Sequence, residues 1–270
     1  MSGPGRYPGS PLAGMTPRRA WYGVAVLTAL VVALTSGVTL VSRLTAESRS
    51  SSRAYADVSA LDLHLSGGTV TVSRGPVRRA TVSEHLHWTT TRPTVDVQQT
   101  GGTLHVTVQC DDFGLFSKLG CRVDVRIQLP PLASVRSVAG SGRTIVQGLG
   151  GPLDLTSASG EIDLQNVTGA VQVHTASGPV EATGVRSSRV FGQSGSGPLH
   201  LAFALPPKDV QLQSASGPIE VELPRGSHYR VSGDSSGPRD VVDGLAQDSA
   251  PGSVAVNTGS GPVDIGYAAQ

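Results

Sequence analysis

Five carboxylates, Asp163, Glu181, Glu220, Asp240 and Asp264, recur at near-regular intervals through the second half of the chain, with Ile145 and His200 at the equivalent places of two further copies. Set on neighbouring strands about 5 Å apart, such acids repel one another unless something screens or bridges them. They form the first candidate binding surface, a ladder for cations or a basic polymer. The plainer reading is a polar face tolerated by water and salt, with His200 relieving its middle.

Three other groupings have chemical potential. His85 and His87 lie two apart, so a strand would turn both to one face, where a metal could be held. No third ligand is near in sequence, and a solvated face is the simpler account. Gly233-Asp234-Ser235-Ser236-Gly237 has the spacing of a nucleophile elbow. No strand-turn-helix pattern surrounds it, and Ser236-Gly237 is one copy of a repeated turn, so no catalytic residue, metal or cofactor is assigned. Cys110 and Cys121 are the only cysteines, and alternating strands run into and out of the loop between them (Leu104, Val106, Val108, then Val123, Val125, Ile127). A disulfide across that loop would place the domain in an oxidising compartment, and a reduced pair or half of a metal site is the alternative.

The element that must position these groups is a repeat. Ser-Gly, usually followed by Pro, is written seven times, with glycines at Gly142, Gly160, Gly178, Gly197, Gly217, Gly237 and Gly261 and steps of 18, 18, 19, 20, 20 and 24 residues. Two and four residues after these glycines the chain is apolar in almost every copy, as in Ile162 and Leu164 or Ile219 and Val221. Seven and five before them stand pairs such as Leu153 and Leu155 or Val210 and Leu212. Each unit therefore reads as strand, tight turn, strand, with one apolar face per strand. The sixth copy slips, because Arg230 and Ser232 replace the apolar pair and Tyr229 and Val231 supply it one residue early. Glycine is expected to provide a positive φ in these turns, and the small residues two before it to fit a crowded corner.

Units of this length cannot bury their apolar face alone and must stack. The expected fold class is all-β, a β-solenoid of two-strand repeats, with a meander of hairpins as the alternative. Residues 134–267 form its regular part. Residues 58–133, with the Cys loop and a further copy of the theme at Leu61 to Val72, form a less regular opening.

The N-terminal residues differ in kind. Residues 1–20 are rich in proline and glycine and read as a disordered cytoplasmic tail. Trp21 to Val41 carries no charge, and as a helix it would reach about 31 Å, so it is expected to be a single transmembrane helix and uncleaved anchor. Ala25, Ala29, Ala33 and Gly37 would make a small-residue stripe on it, open to pairing in a homodimer. Residues 42–57 read as a polar linker. The implied localisation is a single-pass plasma-membrane protein, N-terminus cytoplasmic and C-terminal domain extracytoplasmic.

Thr156-Ser-Ala-Ser-Gly-Glu-Ile-Asp-Leu164, His174-Thr-Ala-Ser-Gly-Pro-Val-Glu181 and Gln213-Ser-Ala-Ser-Gly-Pro-Ile-Glu-Val221 resemble a bacterial β-strand-repeat family described as candidate adhesins, domain of unknown function 4097. The likeness covers about residues 58–267, and the anchor ahead of a cysteine loop looks like its actinobacterial members. The resemblance implies a surface-exposed β-solenoid with no assigned catalytic residues. A formal net charge of +1 argues against nucleic acid as partner. The functional expectation is a non-enzymatic, membrane-anchored envelope protein for adhesion, scaffolding or envelope sensing, contacting a cell-wall polymer or envelope protein. The alternative is a polysaccharide-active β-helix enzyme, which would need acids clustered in a cleft.

Overall fold

The computed structural model describes Thr28 and residues 47–88, 92–110 and 121–268. The chain divides into two units, Met1–Ala46 and Glu47–Gln270. Of the first, only Thr28 is described, and it is helical. The predicted tail, membrane segment and Ala25, Ala29, Ala33, Gly37 stripe lie outside the described residues. Among the described residues no helix is long and apolar enough to cross a membrane. The expected single-pass localisation is corrected accordingly: an uncharged run in the sequence satisfies the length requirement for a span, but length and lack of charge are not a spanning helix, and none is found among the described residues.

The second unit is all-β. Its strands are β1 (Glu47–Ala56), β2 (Ala60–Leu65), β3 (Thr69–Arg74), β4 (Arg79–Trp88), β5 (Thr94–Thr100), β6 (Thr103–Gln109) and β7 (Cys121–Leu129). Next come β8 (Ser134–Ala139), β9 (Arg143–Gln147), β10 (Leu153–Ser157), β11 (Ile162–Gln165), β12 (Val171–Thr175), β13 (Val180–Val185) and β14 (Arg189–Ser194). The last are β15 (Leu199–Phe203), β16 (Asp209–Ser214), β17 (Ile219–Leu223), β18 (Tyr229–Ser232), β19 (Arg239–Val241), β20 (Gly252–Thr258) and β21 (Val263–Tyr267). They form two sheets and no closed barrel. One runs β1-β4-β7-β3-β9-β11-β13-β15-β17-β21-β19, and the other β18-β20-β16-β14-β12-β10-β8-β2-β6-β5. Each repeat gives one strand to each sheet, and like strands of stacked repeats pair in parallel, as Leu155 with Val173 and Leu164 with Ala182. The inner columns read from sequence, among them Leu155, Leu164, Val173, Leu201, Leu212 and Val221, meet in one buried core.

The stacking order departs from chain order at both ends. The seventh copy, β20 and β21, lies directly on the fifth, β16 and β17, while the sixth, β18 and β19, is pushed outward. The cause is legible in its inner column: Arg239 stands where the other copies carry an apolar residue or Thr144, and only the end of the stack leaves it exposed. There it donates hydrogen bonds to the carbonyls of Gly233 and Ser232. At the opposite end the rung of β2 and β3 is covered by β6 and β7, then by the antiparallel strands β4, β5 and β1. The expected polar linker is corrected here as well, since residues from Glu47 on pair with β4 along its whole length.

The turn glycines are also not what the sequence implied. Positive φ occurs at Gly68, Gly101, Gly148, Gly184, Gly226, Gly233 and Gly244, none of them a repeat glycine. The repeat glycines instead stack on one another: a Cβ at Gly160 would sit 2.0 Å from the Gly142 carbonyl oxygen, and one at Gly178 2.1 Å from that of Gly160. The requirement is close backbone approach, not a left-handed turn. Gly178→Ala is expected to cost about 2–3 kcal/mol, as overpacking against rigid backbone does. Gly266→Ala, whose Cβ would meet nothing nearer than 3.9 Å, should stay within about 0.5 kcal/mol. Urea denaturation of the two variants tests the difference, and equal midpoints would refute it.

Candidate functional site

Register places the predicted acids in one column of the outer face of the first sheet. Asp163 pairs with Glu181, Glu181 with His200, His200 with Glu220, Glu220 with Asp264, and Asp264 with Asp240. The order follows the stack, so Asp240 comes last. Repulsion is relieved at two points. At the inner end Asp163, almost wholly buried, meets Arg143 Nη2 at 3.3 Å and accepts from Gln165 Nε2 at 3.0 and 3.1 Å, while Arg143 also holds Glu161 at 2.8 Å. In the middle, His200 Nε2 lies 3.9 Å from Glu222 Oε1. His200, Glu220 and Glu222 bring ligand-type atoms within 4.8 Å of one another, the single such grouping of three among the described residues. Imidazole with carboxylates is a donor set that suits zinc or manganese.

The other sequence candidates do not assemble into chemistry. His85 and His87 alternate with Leu86, which is buried, so they share the outer face of β4, and no third ligand-type side chain joins them among the described residues. Ser235 is occupied within its own turn, donating to the Gly237 carbonyl at 3.0 Å and accepting from the Gly237 amide at 3.1 Å. No helix follows it, so the elbow spacing is a coincidence of the repeat. Cys110 directly follows β6 and Cys121 opens β7, the two strands of one rung, and Cys110 has no free thiol.

A broad concave surface lies on the second sheet, and aligning the copies on the glycine locates it. Four residues before each glycine stand Val138, Thr156, His174, Gln193, Gln213 and Asn257, which pair in that order on the outer face. Two before it stand Ala158, Ala176, Gly195, Ala215 and Gly259, too small to fill the corner. The result is an open groove of about 840 Å³ that crosses the rungs from Val138 to Asn257. Asp234 is the lone carboxylate lining it, and no Lys or Arg does. His174 is held in place by Gln172 at 2.9 Å, by Gln193 at 3.2 Å, and by a tilted contact with Phe191 at 5.4 Å.

Between groove and core, three residues before the glycine, runs a buried hydroxyl column. Ser157, Thr175 and Ser194 donate to the carbonyls of Gly160, Gly178 and Gly197 at 2.7, 3.0 and 2.6 Å. In the seventh copy Thr258 Oγ1 accepts from the Gly261 amide at 3.0 Å instead. These bonds fix four of the turns against their own strands, and with them that part of the groove wall, whereas Ser214 Oγ in the fifth copy is buried without a partner among the described residues.

No family model and no characterised protein sequence matches the chain. Among solved structures, a candidate lipid binding protein from Parabacteroides distasonis is similar at 15% identity and a TM-score of 0.47, covering 80% of this chain and 96% of that one. A candidate adhesin from Bacteroides fragilis is similar at 14% identity and 0.45, over 81% and 97%. A candidate cell adhesion protein from Clostridium sporogenes follows at 12% and 0.36, over 82% and 100%. Neither the specific family of the sequence resemblance nor its actinobacterial branch is supported. Likeness of this degree assigns no chemistry, which must come from the residues of the chain.

Thr175→Val removes a buried donor and leaves the Gly178 carbonyl without its side-chain partner, at an expected cost of about 1–2 kcal/mol. Thr156→Val, on the exposed outer face one residue before the equivalent serine, should cost less than about 0.5 kcal/mol. Thermal melting of both variants checks the ranking, and a reversed order would show that the hydroxyl column does not hold the turns.

Proposed function

We propose that the chain is a flattened β-solenoid acting as a non-enzymatic binding scaffold of the adhesive kind, which holds a linear, uncharged cell-wall polymer along the groove of its second sheet. The observation that carries this reading is the in-register row Thr156, His174, Gln193, Gln213 and Asn257 above a floor of alanine and glycine. Amides and hydroxyls repeated at strand spacing, about 4.8 Å, suit a ligand that repeats its own hydrogen-bonding groups. The alanine floor and the His174 ring suit flat apolar faces such as those of sugar rings. The lack of basic residues in the groove disfavours a polyanion there.

The enzyme alternative fares worse on chemistry. Glycoside cleavage ordinarily uses two carboxylates flanking the bond, and this groove offers Asp234 alone. The acidic column lies on the other sheet. Purified protein incubated with insoluble cell-wall polysaccharide should be retained saturably and release no soluble fragments. Ala215→Phe, at an exposed position on the groove floor, should lower retention at least about tenfold, since a ring there fills the space the chain must occupy. Fragment release, or retention untouched by the substitution, would overturn the reading.

We propose further that Cys110 and Cys121 form a disulfide that closes the loop between β6 and β7. Supporting it are the absence of a free thiol at Cys110 and the presence of only one other cysteine in the chain. A bridge of this loop length is worth about 3 kcal/mol in the chain-entropy account. Iodoacetamide applied to the unfolded, unreduced protein should label neither cysteine, and labelling of both would exclude the bridge.

A further inference from the structure

The two sheets do not end together. Counting outward from β2 and β3, the rungs are β6 with β7 and then β5 with β4, which leaves β1 with no counterpart in the second sheet. Its inner face therefore overhangs. Antiparallel register sets Arg49 opposite Leu86 and Arg53 opposite Val82, both buried core residues, so the two arginines point to the side of the sheet that elsewhere is apolar. Ser51 and Glu84 pair between them on the same side, with Ser51 Oγ donating to Glu84 Oε2 at 3.1 Å. Under this overhang is a partly open pocket of about 350 Å³, lined on its far side by the segment that enters β5. That segment brings Arg92 and Thr94, and Arg92 stacks over the Trp88 ring at 5.5 Å.

Three guanidinium groups thus line one pocket with a single carboxylate. None of the three is ion-paired among the described residues, although Arg78 and Arg143 elsewhere are. An inward charge on an edge strand has a structural use, since it discourages pairing with another chain. That use accounts for Arg49 and Arg53 with a charge of either sign. It does not account for Arg92, which lies in the segment that leads into β5 and not on the edge strand, is braced by Trp88, and adds like charge to the same pocket. Placing three cations together costs free energy that water and salt screen in part, and an anion in the pocket would offset the remainder.

We propose that this pocket binds a phosphoryl group, with Arg49, Arg53 and Arg92 as its charged ligands and Thr94 as a hydroxyl donor. A guanidinium presents paired N–H groups that match oxyanions. Three of them with a hydroxyl offer more donors than the two oxygens of a carboxylate accept, whereas a tetrahedral phosphoryl group has three or four. Glu84 opposes the ligand and sets the affinity below what three arginines alone would give.

The test is titration calorimetry on the full chain at low ionic strength, with inorganic phosphate, glycerol 3-phosphate and acetate as probes. Saturable binding of inorganic phosphate, at least about tenfold tighter than acetate, is expected, because the charge-assisted hydrogen bonds phosphate can accept outnumber those acetate can make. Equal affinity for glycerol 3-phosphate would support a terminal phosphoryl group on a larger molecule, and a preference for inorganic phosphate would support the free anion. Arg53→Gln and Arg92→Gln should each weaken binding about tenfold or more, with the melting curve unchanged because both side chains are exposed. Glu84→Gln should tighten it several-fold, an effect no loss of structure would mimic. No saturable binding by either phosphate probe, acetate binding as tightly, or Glu84→Gln weakening the interaction would each overturn the proposal.

Discussion

Everything in the repeat domain depends on one contact, the carbonyl oxygen of a turn glycine occupying the place where the next glycine would carry a Cβ. From Gly142 through Gly160, Gly178, Gly197 and Gly217 to Gly261, each would bring a Cβ within 2.9 Å of backbone in the rung before it. Parallel strands could slide against one another by two residues and still keep their apolar faces inward. A turn that tolerates no side chain allows one register only. The hydroxyls of Ser157, Thr175 and Ser194 then tie their turns to their strands, so the turn's position becomes the strand's position.

Fixed register converts a sequence repeat into surface columns. On the first sheet it gathers the acids from Asp163 to Asp240, which Arg143 and His200 make tolerable. On the second it aligns neutral amides and hydroxyls above the alanine floor. The two faces are chemically unlike although built by the same units, because outward positions are free of the packing constraint that makes the inner columns uniform. A binding surface on such a protein is a property of the stack, and no single copy contains it.

Much of this was legible in the residues. Strict alternation told the inner columns from the outer ones, since a burial requirement acts on every second residue of a strand. The acids share one column for the same reason. What the pattern could not carry was spatial order. Adjacent copies in sequence are adjacent in space unless a copy is unfit for burial, and that judgement needs the neighbours: Arg239 in an inner column signals a rung with a free side, yet nothing in the sequence says that the following rung folds back beneath it. The glycines misled for a related reason. Ser-Gly-Pro is consistent with a positive φ and also with close approach, and only the stack decides between them. β1 carries no such signal, since its alternate residues are mostly arginine and serine and no apolar period marks it as a strand; the pairing with β4 makes it one.

The ends of the stack obey different physics from its middle. A repeat that buries both neighbours' faces must stop somewhere, and the last strands would offer unpaired backbone and uncovered apolar side chains to other chains. The carboxy-terminal end answers with a rung whose inner position is Arg239 and with a loop that bonds Tyr229 through Leu245 and Gln247. The opposite end answers with antiparallel strands and with arginines turned inward. Charge is the common device, but its consequences differ. Arg239 is satisfied by carbonyls of its own chain, whereas Arg49, Arg53 and Arg92 face a cavity in which the protein supplies one carboxylate against three cations. A cap that is satisfied internally is finished as a structure. A cap left with uncompensated charge over an open pocket has its lowest free energy with an anion in place, and that imbalance makes the amino-terminal end of the stack a site as well as a stop.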